Sequence, residues 1–233
     1  EKIKSNKHID TKTLDEAQSF GEMMSSKIVA EQLTKIGVNA KPFNSWDLGF
    51  LTTPEFGNAE PLEITHTSIK NNIKKLNIVP VITGFIAKTE NGEITTLGRG
   101  GSDYTAVIIG AAINTGEIQI WTDVNGIMST DPKIVKNAKT IEKVSFAEAS
   151  ELAYFGAKVL HPKTILPAMK KNIPVKVLNS FNPKNKGTTI LNKSNKSRQI
   201  LKAIAYKKNI TLINIDSTRM LGAYGFLAKV FNI

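Results

Sequence analysis

The sequence contains no cysteine, and this absence removes several classes of chemistry at once. Disulfide bonds, thiol nucleophiles and cysteine-bound zinc are excluded, and the composition suits a reducing compartment. Histidine is nearly as scarce, since only His8, His66 and His161 occur and no pair of them has the spacing of metal ligands. We therefore expect no metal site built from protein side chains alone.

Long apolar runs are also missing, and no signal peptide opens the chain, so we expect no membrane partner and a cytoplasmic protein, or a plastid protein in a plant or alga. Acidic residues are few: 20 Asp and Glu stand against 31 Lys and Arg, which gives a net charge of +11 at pH 7. The lysines are scattered, without a basic helix interleaved with aromatics, so nucleic-acid binding is weakly supported. A basic excess also suits a polyanionic nucleotide.

Hydrophobic residues make up 41% of the 233 residues, which allows a sizeable core, and their spacing predicts alternating helices and strands. A helix is predicted over residues 14–36, where Phe20, Met24, Ile28, Leu33 and Ile36 follow helical spacing. Strands are predicted over residues 78–86, 118–121 and 173–178, and a polar loop over 179–188. A capping box at Ser145 to Glu148 predicts a helix that reaches about Leu160. A linker is predicted near residues 191–199, followed by strand-like runs at 203–206 and 210–215 and a helix that starts before Phe231.

The most informative stretch runs from Thr95 to Ala106 and predicts a strand, a glycine turn and a helix. Glycines at 98, 100 and 101 allow close backbone approach, and Ser102 is placed to cap a helix over residues 103–114. A glycine turn before a helix N-terminus favours an anion, and Arg99 adds a planar cation suited to carboxylate or phosphate. The turn matches neither the dinucleotide fingerprint nor the P-loop, because no Gly-Lys-Ser/Thr follows.

Four other residues could have a functional role, but each of them, taken alone, is explained at least as well by an ordinary structural role. Glu22 suits an exposed helix face, and Lys158 suits the last turn of a helix. Asp123 follows a strand, where it could meet a sugar hydroxyl or a metal, or simply form a turn. His161 precedes Pro162 and is more often a packed or capping histidine than a base.

Several motifs in a fixed order resemble aspartate kinase, a member of the amino-acid kinase family, over nearly the whole chain. They are Ser19-Phe20-Gly21-Glu22, the segment from Thr96 to Thr105, Trp121 to Ile127, Thr130-Asp131-Pro132 and Phe155 to Pro162. The resemblance implies an α/β fold, three-layered with a mostly parallel central sheet, over residues 1–192. Residues 193–233 then form a linker and resemble the start of a regulatory ACT domain, a ferredoxin-like α+β unit, most like those of plants and some bacteria.

The resemblance also implies a reaction, in which ATP with Mg²⁺ phosphorylates the β-carboxylate of L-aspartate, a first step of lysine and threonine biosynthesis. It assigns Lys158, Arg99 and Asp103 to catalysis, and aspartate binding to Glu22, Arg99, Ser102 and Asp103. ATP would contact Gly98, Gly100, Gly101, Thr122, Asp123, Met128, Lys133, Lys158 and Val159. Lysine, threonine or both would act as effectors at Met220, Ala223, Gly225, Phe226 and Leu227, in a homodimer or higher homo-oligomer.

Two departures from the family pattern keep alternatives open. The family's first strand and its Lys-Phe-Gly-Gly-Thr-Ser-type loop are absent from this sequence, and the ACT-like part stops after its first helix begins. We therefore expect these 233 residues alone to be essentially inactive. The alternatives are a sister kinase acting on glutamate or acetylglutamate, and a catalytically incomplete amino-acid-sensing fragment.

Overall fold

The computed structural model describes residues 9–155, 160–193, 201–206, 209, 211, 213–214 and 224–232. Six helices and eight strands lie within these residues, joined by two 3₁₀ turns at Ser45–Leu48 and Pro162–Ile165. The helices are α1 (Thr11–Lys35), α2 (Ile64–Ile73), α3 (Gly101–Ile113), α4 (Phe146–Tyr154), α5 (Leu166–Lys171) and α6 (Phe226–Phe231). The strands are β1 (Ala40–Phe43), β2 (Val79–Ile82), β3 (Ile86–Lys88), β4 (Ile94–Thr96), β5 (Ile118–Thr122), β6 (Lys143–Ser145), β7 (Val175–Asn179) and β8 (Thr188–Leu191).

Helix α1 confirms the predicted long N-terminal helix, but the face it buries is not the apolar one. The Asp10 carboxylate caps it by accepting from the Thr13 N–H at 2.6 Å. Its buried residues are small or polar, namely Asp15, Ser19, Ser26 and Ala30. Phe20 and Ile28, by contrast, are 63% and 65% exposed. The helix lies close against β1, β2 and β4, and small side chains permit that approach.

The strands form three sheets with mixed pairing, in agreement with the predicted α/β class. β1 and β2 pair in parallel, β3 and β4 form an antiparallel hairpin, and four strands are ordered β5-β7-β8-β6. In that third sheet β5 pairs in parallel with β7 and β6 with β8, while β7 and β8 are antiparallel. Parallel pairing therefore predominates, which requires the helical crossovers that the chain supplies.

The sheet also corrects the sequence prediction at two points. The single strand expected over residues 78–86 is two strands, because the chain turns at Phe85, whose φ of 65° is left-handed. Strand β8 begins at the end of the predicted polar loop, where the side chains of Thr188 and Ile190 are fully buried. A strand of two threonines before two apolar residues gives too weak a pattern to detect by alternation.

Two hydrophobic clusters hold the elements together. The larger lies between the third sheet and α3, α4 and α5, and includes Val107, Phe146, Ile165, Val177 and Ile190. The smaller joins Phe50, Ile69, Leu97 and Ile108, and so fixes α2 and α3 against the end of β4. Each fully buried side chain of this size contributes about 1.5–3 kcal/mol. The glycine turn between β4 and α3 is thus anchored on both sides.

The C-terminal part differs from the prediction in the extent of its elements. The Ser145 capping box is present, but α4 ends at Tyr154 and Leu160 lies in a bend outside the helix. Residues 203–206 are not a strand; instead the Ile204 N–H donates to the Ser129 carbonyl at 2.8 Å. The Lys202 ammonium is 2.7 Å from the Glu148 carboxylate on α4. Helix α6 confirms the predicted last helix, with Gly225 at its N-cap. Among the described residues, none of the helices has the length and apolar character needed to cross a bilayer.

Candidate active site

The glycine turn between β4 and α3 is built as the sequence predicts. Gly98 and Gly100 both have φ of 72°, in the left-handed region that other residues rarely adopt. A Cβ at Gly98 would lie 2.8 Å from Asn58 Oδ1, so the loop before α2 packs directly on the turn. One detail is wrong in the prediction: the N-cap is Gly100, without a side-chain cap, and Ser102 lies inside the first turn of α3. The helix end is therefore open to an outside anion.

A cavity of about 550 Å³ opens at this turn and brings together α1, the loop before α2, and the start of α3. Most of the predicted residues of the glycine turn line it. The lining residues are Thr11, Leu14, Asp15, Gln18, Gly57, Phe85, Thr96, Gly98, Arg99, Gly100, Gly101, Ser102 and Asp103.

Arg99 and Asp103 present opposite charges to this cavity. The Arg99 side chain is exposed and forms no ion pair with any residue that the structure describes. Asp103 is half-buried in the first turn of α3, and burial raises the pKa of its carboxyl. Ser102 is exposed between them. A cation without a partner beside a partly desolvated carboxylate can bind a small molecule that has both charges.

Glu22 adjoins the cavity through Gly84. Burial raises the pKa of the Glu22 carboxyl, while hydrogen bonding from the Gly84 backbone lowers it by less. A Cβ at Gly84 would lie 3.0 Å from Ser102 Cα, so the backbone that faces Glu22 also touches α3. Three of the four predicted substrate residues, Arg99, Ser102 and Asp103, therefore line the cavity, and Glu22 is connected to it through Gly84.

The predicted nucleotide residues that the structure describes fall into two groups. Gly98, Gly100 and Gly101 line this cavity, whereas the other four lie apart from it, at and after the carboxyl end of β5. The Thr122 hydroxyl donates to Asp123 Oδ1 at 3.2 Å, directly after the strand. Met128 pairs with Thr140, and Lys133 lies in the next turn, where its N–H donates to Asp131. Thr122 and Met128 are half-buried, whereas Asp123 and Lys133 are exposed. Thr122 and Asp123 lie at the end of β5, which is where ligands of parallel sheets collect.

The segment that begins at His161 approaches the glycine turn from the other side. A Cβ at Gly100 would lie 3.3 Å from His161 Cβ and 3.4 Å from Thr164 Oγ1. His161 Nδ1 accepts from the Lys163 N–H at 3.4 Å, which confirms its predicted capping role. Lys158 and Val159, which precede it, and Met220 and Ala223 of the predicted effector site lie outside the described residues, as does the side chain of Leu227.

Sequence reasoning missed the residues that join the walls of the cavity. Asp15 is 1% exposed and links α1 to both Thr96 and Gly57 through hydrogen bonds. Lys163 pairs with Glu60 and lies over the Tyr104 ring at 5.1 Å. A signal for Asp15 did exist: Asp15, Ser19, Glu22 and Ser26 repeat on one face of α1.

Among the described residues, there is also no group of three His, Asp or Glu side chains that could hold a metal ion. The lining itself offers an arginine, carboxylates and backbone donors, which suit the recognition of a charged ligand. A magnesium ion bound by nucleotide phosphates still fits, because phosphate oxygens and waters supply most of its ligands.

Comparison with known proteins gives a consistent picture. The profile of the amino acid kinase family matches residues 1–179. Aspartokinase 2 of Arabidopsis thaliana, a chloroplastic protein, is 46% identical over 98% of this chain and 43% of its own length. Two crystal structures of E. coli aspartokinase III are 40% identical. The complex with aspartate and ADP (R-state) has a TM-score of 0.75, over 82% of this chain and 43% of that one.

The second structure, a complex with lysine and aspartate (T-state), has a TM-score of 0.76 and covers 97% of this chain and 51% of that one. The chain thus spans about half the length of these relatives or less. The family profile, by contrast, extends over more than half of the chain, and the fold of the described residues agrees with it. This chain therefore belongs to the amino acid kinase family.

Proposed function

We propose that the protein containing this chain is an aspartate kinase, which transfers the γ-phosphoryl group of ATP to the β-carboxylate of L-aspartate. Relatives at 40–46% identity are named aspartokinases, and one similar structure is a complex with aspartate and ADP. The sister activities on glutamate or acetylglutamate, and an amino-acid sensor without catalysis, are the alternatives.

The observation that supports this proposal best is a set of charged side chains around the glycine turn that form no ion pair with one another or with other described residues. Arg99 would pair with the α-carboxylate of an amino acid, and Glu22, partly buried beside Gly84, would receive the α-ammonium. With both ends of the amino acid fixed, only its side-chain carboxylate remains within reach of a phosphate. Ser102 and Asp103, three and four residues after Arg99 at the start of α3, help to orient the substrate.

Phosphoryl transfer needs positioning and charge neutralisation more than a covalent nucleophile. The open N-terminus of α3 and the turn at Gly98, Gly100 and Gly101 offer backbone donors to the transferring group. Lys158, together with Mg²⁺ that accompanies ATP, neutralises the phosphates. Thr122, Asp123, Met128, Lys133 and Val159 hold the nucleoside side.

We assign regulation to the C-terminal part, where the sequence resembles an ACT domain. A T-state structure of E. coli aspartokinase III is a complex with lysine, which supports lysine as an effector, alone or with threonine. The effector would bind near Met220, Ala223, Gly225, Phe226 and Leu227, in a homo-oligomer of at least two subunits. Regulation of this kind requires that the effector bind one conformation better than the other.

The test is a hydroxylamine-trapping assay of the full-length protein with ATP and Mg²⁺, using aspartate, glutamate and N-acetylglutamate in parallel. We expect an acyl hydroxamate from aspartate and little from the other two. Turnover of glutamate or acetylglutamate in preference to aspartate would overturn the assignment, and no turnover of any would favour the sensor. Adding lysine and threonine, singly and together, tests the regulation, and no response to either contradicts it.

A further inference from the structure

The most completely buried carboxylate beside the cavity, that of Asp15, has no place in the chemistry described so far. It is 1% exposed in the second turn of α1 and accepts three hydrogen bonds. Its Oδ2 accepts from the N–H groups of Gly57 at 2.8 Å and Thr96 at 2.9 Å, and its Oδ1 accepts from the Thr96 hydroxyl at 2.8 Å. Among the described residues, no cation pairs with it.

A buried carboxylate is costly to desolvate, and here neutral donors alone satisfy it. Those donors are 42 and 81 residues away in sequence, on two different segments. Thr96 is the last residue of β4, three positions before Arg99. Gly57 belongs to the loop that packs on Gly98. Asp15 therefore joins α1 to both sides of the turn that presents Arg99.

On α1 itself, Asp15 shares a face with Glu22, because seven residues are close to two helical turns. Along the axis the two residues are about 10 Å apart at about 1.5 Å per residue. The position in which Asp15 holds α1 against β4 therefore determines the distance between Glu22 and Arg99. Among the described side chains of α1, Asp15 alone forms hydrogen bonds to β4 and to the loop at Gly57, while Lys12 pairs with Glu93 just before β4 at 2.7 Å.

We propose that Asp15 is a positioning residue for amino-acid recognition, one that sets the separation between the anchors Arg99 and Glu22. This inference rests on the proposed function. Both Asp15 oxygens are already engaged, so the residue acts through Thr96 and α1 and does not bind the substrate itself. Its role is to match the site to a zwitterion of one length, and the nucleoside contacts proposed at Thr122, Asp123 and Met128 lie on other elements.

The test is Asp15→Asn in the full-length protein, with KM for aspartate and for ATP measured separately. The amide keeps the shape but exchanges an acceptor for a donor that faces other donors. We expect KM for aspartate to rise about tenfold or more, as for a lost charge-assisted hydrogen bond, and KM for ATP to change less than about twofold. Thr96→Val, which removes one of the three hydrogen bonds, should also raise KM for aspartate, but by a smaller factor. Thr96→Ser keeps the hydroxyl and should therefore keep the wild-type KM.

A matched control is Thr52→Val. The Thr52 hydroxyl is as deeply buried and forms a 2.6 Å hydrogen bond with the Thr95 hydroxyl, next to Thr96 on β4, without contacting Asp15. It should lower the melting temperature without separating the two KM values. If Thr52→Val and Asp15→Asn change the kinetics alike, Asp15 is merely structural and the inference is wrong.

Hydrogen exchange provides a readout that is independent of catalysis. In Asp15→Asn and Thr96→Val, amides of α1 around Glu22 and of the turn at Arg99 should exchange faster, while those of β7 should not. Unchanged exchange in both segments would overturn the positioning role even if the variants are inactive. If instead the wild-type protein forms no aspartyl hydroxamate while exchange responds as expected, the proposed function fails and the link made by Asp15 stands.

Discussion

Replacing Arg99 by lysine tests the proposed recognition of the substrate α-carboxylate most directly. The substitution keeps the positive charge but loses the two-pronged geometry with which a guanidinium holds a carboxylate. Because Arg99 is exposed and forms no ion pair with the described residues, we expect little effect on folding. The effect on binding is one lost charge-assisted hydrogen bond, worth about 1.5–3 kcal/mol. This corresponds to roughly a 10- to 150-fold rise in KM for aspartate, and solvent screening favours the lower end.

The assay is steady-state kinetics of the full-length protein, with aspartate varied at saturating ATP and then the reverse. KM for ATP should stay within about twofold, because Arg99 is proposed to contact aspartate and not ATP. Lys143→Arg, the reverse exchange of one cation for the other, serves as the control, because Lys143 is exposed on β6, away from the cavity lining. A rise in KM for ATP with unchanged KM for aspartate would show that Arg99 binds phosphate, and that its assigned role is wrong.

Three further predictions follow from the site. Burial raises the pKa of Glu22 and that of Asp103 above their usual values, so kcat/KM for aspartate should fall as the pH drops through those raised pKa values, and Glu22→Gln should weaken this acid limb while Asp103 maintains part of it. Because a raised carboxyl pKa makes protonation favour the folded state, the melting temperature should not show the same loss. Lys158→Met should lower kcat/KM for ATP about 30- to 1,000-fold, as expected for about 2–4 kcal/mol of transition-state stabilisation, and a near-wild-type value would refute its role. Gly84→Ala should impair aspartate use, because its Cβ would lie 3.0 Å from Ser102 Cα, whereas Gly116→Ala, with nothing within 4 Å, should not.

Local signals predicted much of the fold correctly. Three features depend on residues a few positions apart, and the structure confirms each of them: the Ser145 capping box, the glycine turn and the helix α1. The burial of α1 could not be predicted in the same way. Helical spacing groups Phe20, Met24 and Ile28 on one face, but which face is buried depends on elements distant in sequence.

The site shows the same division between local and distant information. Motif resemblance identified Arg99, Ser102 and Asp103, which the structure places in one cavity, and Glu22, which adjoins it. It did not identify Asp15, because the donors that make a buried aspartate stable are supplied by residues 42 and 81 positions away. The break in the predicted strand at Phe85 could not be predicted either, because it also depends on residues distant in sequence. A left-handed phenylalanine is stable only where its surroundings hold it, here through the Thr105 hydroxyl and the Leu97 N–H.

The contacts of residues 201–206 determine how far the protein can be shortened from its C-terminal side without loss of stability. A chain cut at residue 192, where the sequence predicts the catalytic part to end, would keep all eight strands that the structure describes and the whole cavity. It would nonetheless lose the hydrogen bond from Ile204 to Ser129 and the ion pair between Lys202 and the capping-box residue Glu148. The cut would also uncover Val144 and Leu152, which line a second cavity together with Leu201. In terms of cooperative unfolding, the kinase part therefore includes residues beyond β8, and a chain that ends at residue 206 should unfold at a higher temperature than one that ends at residue 192.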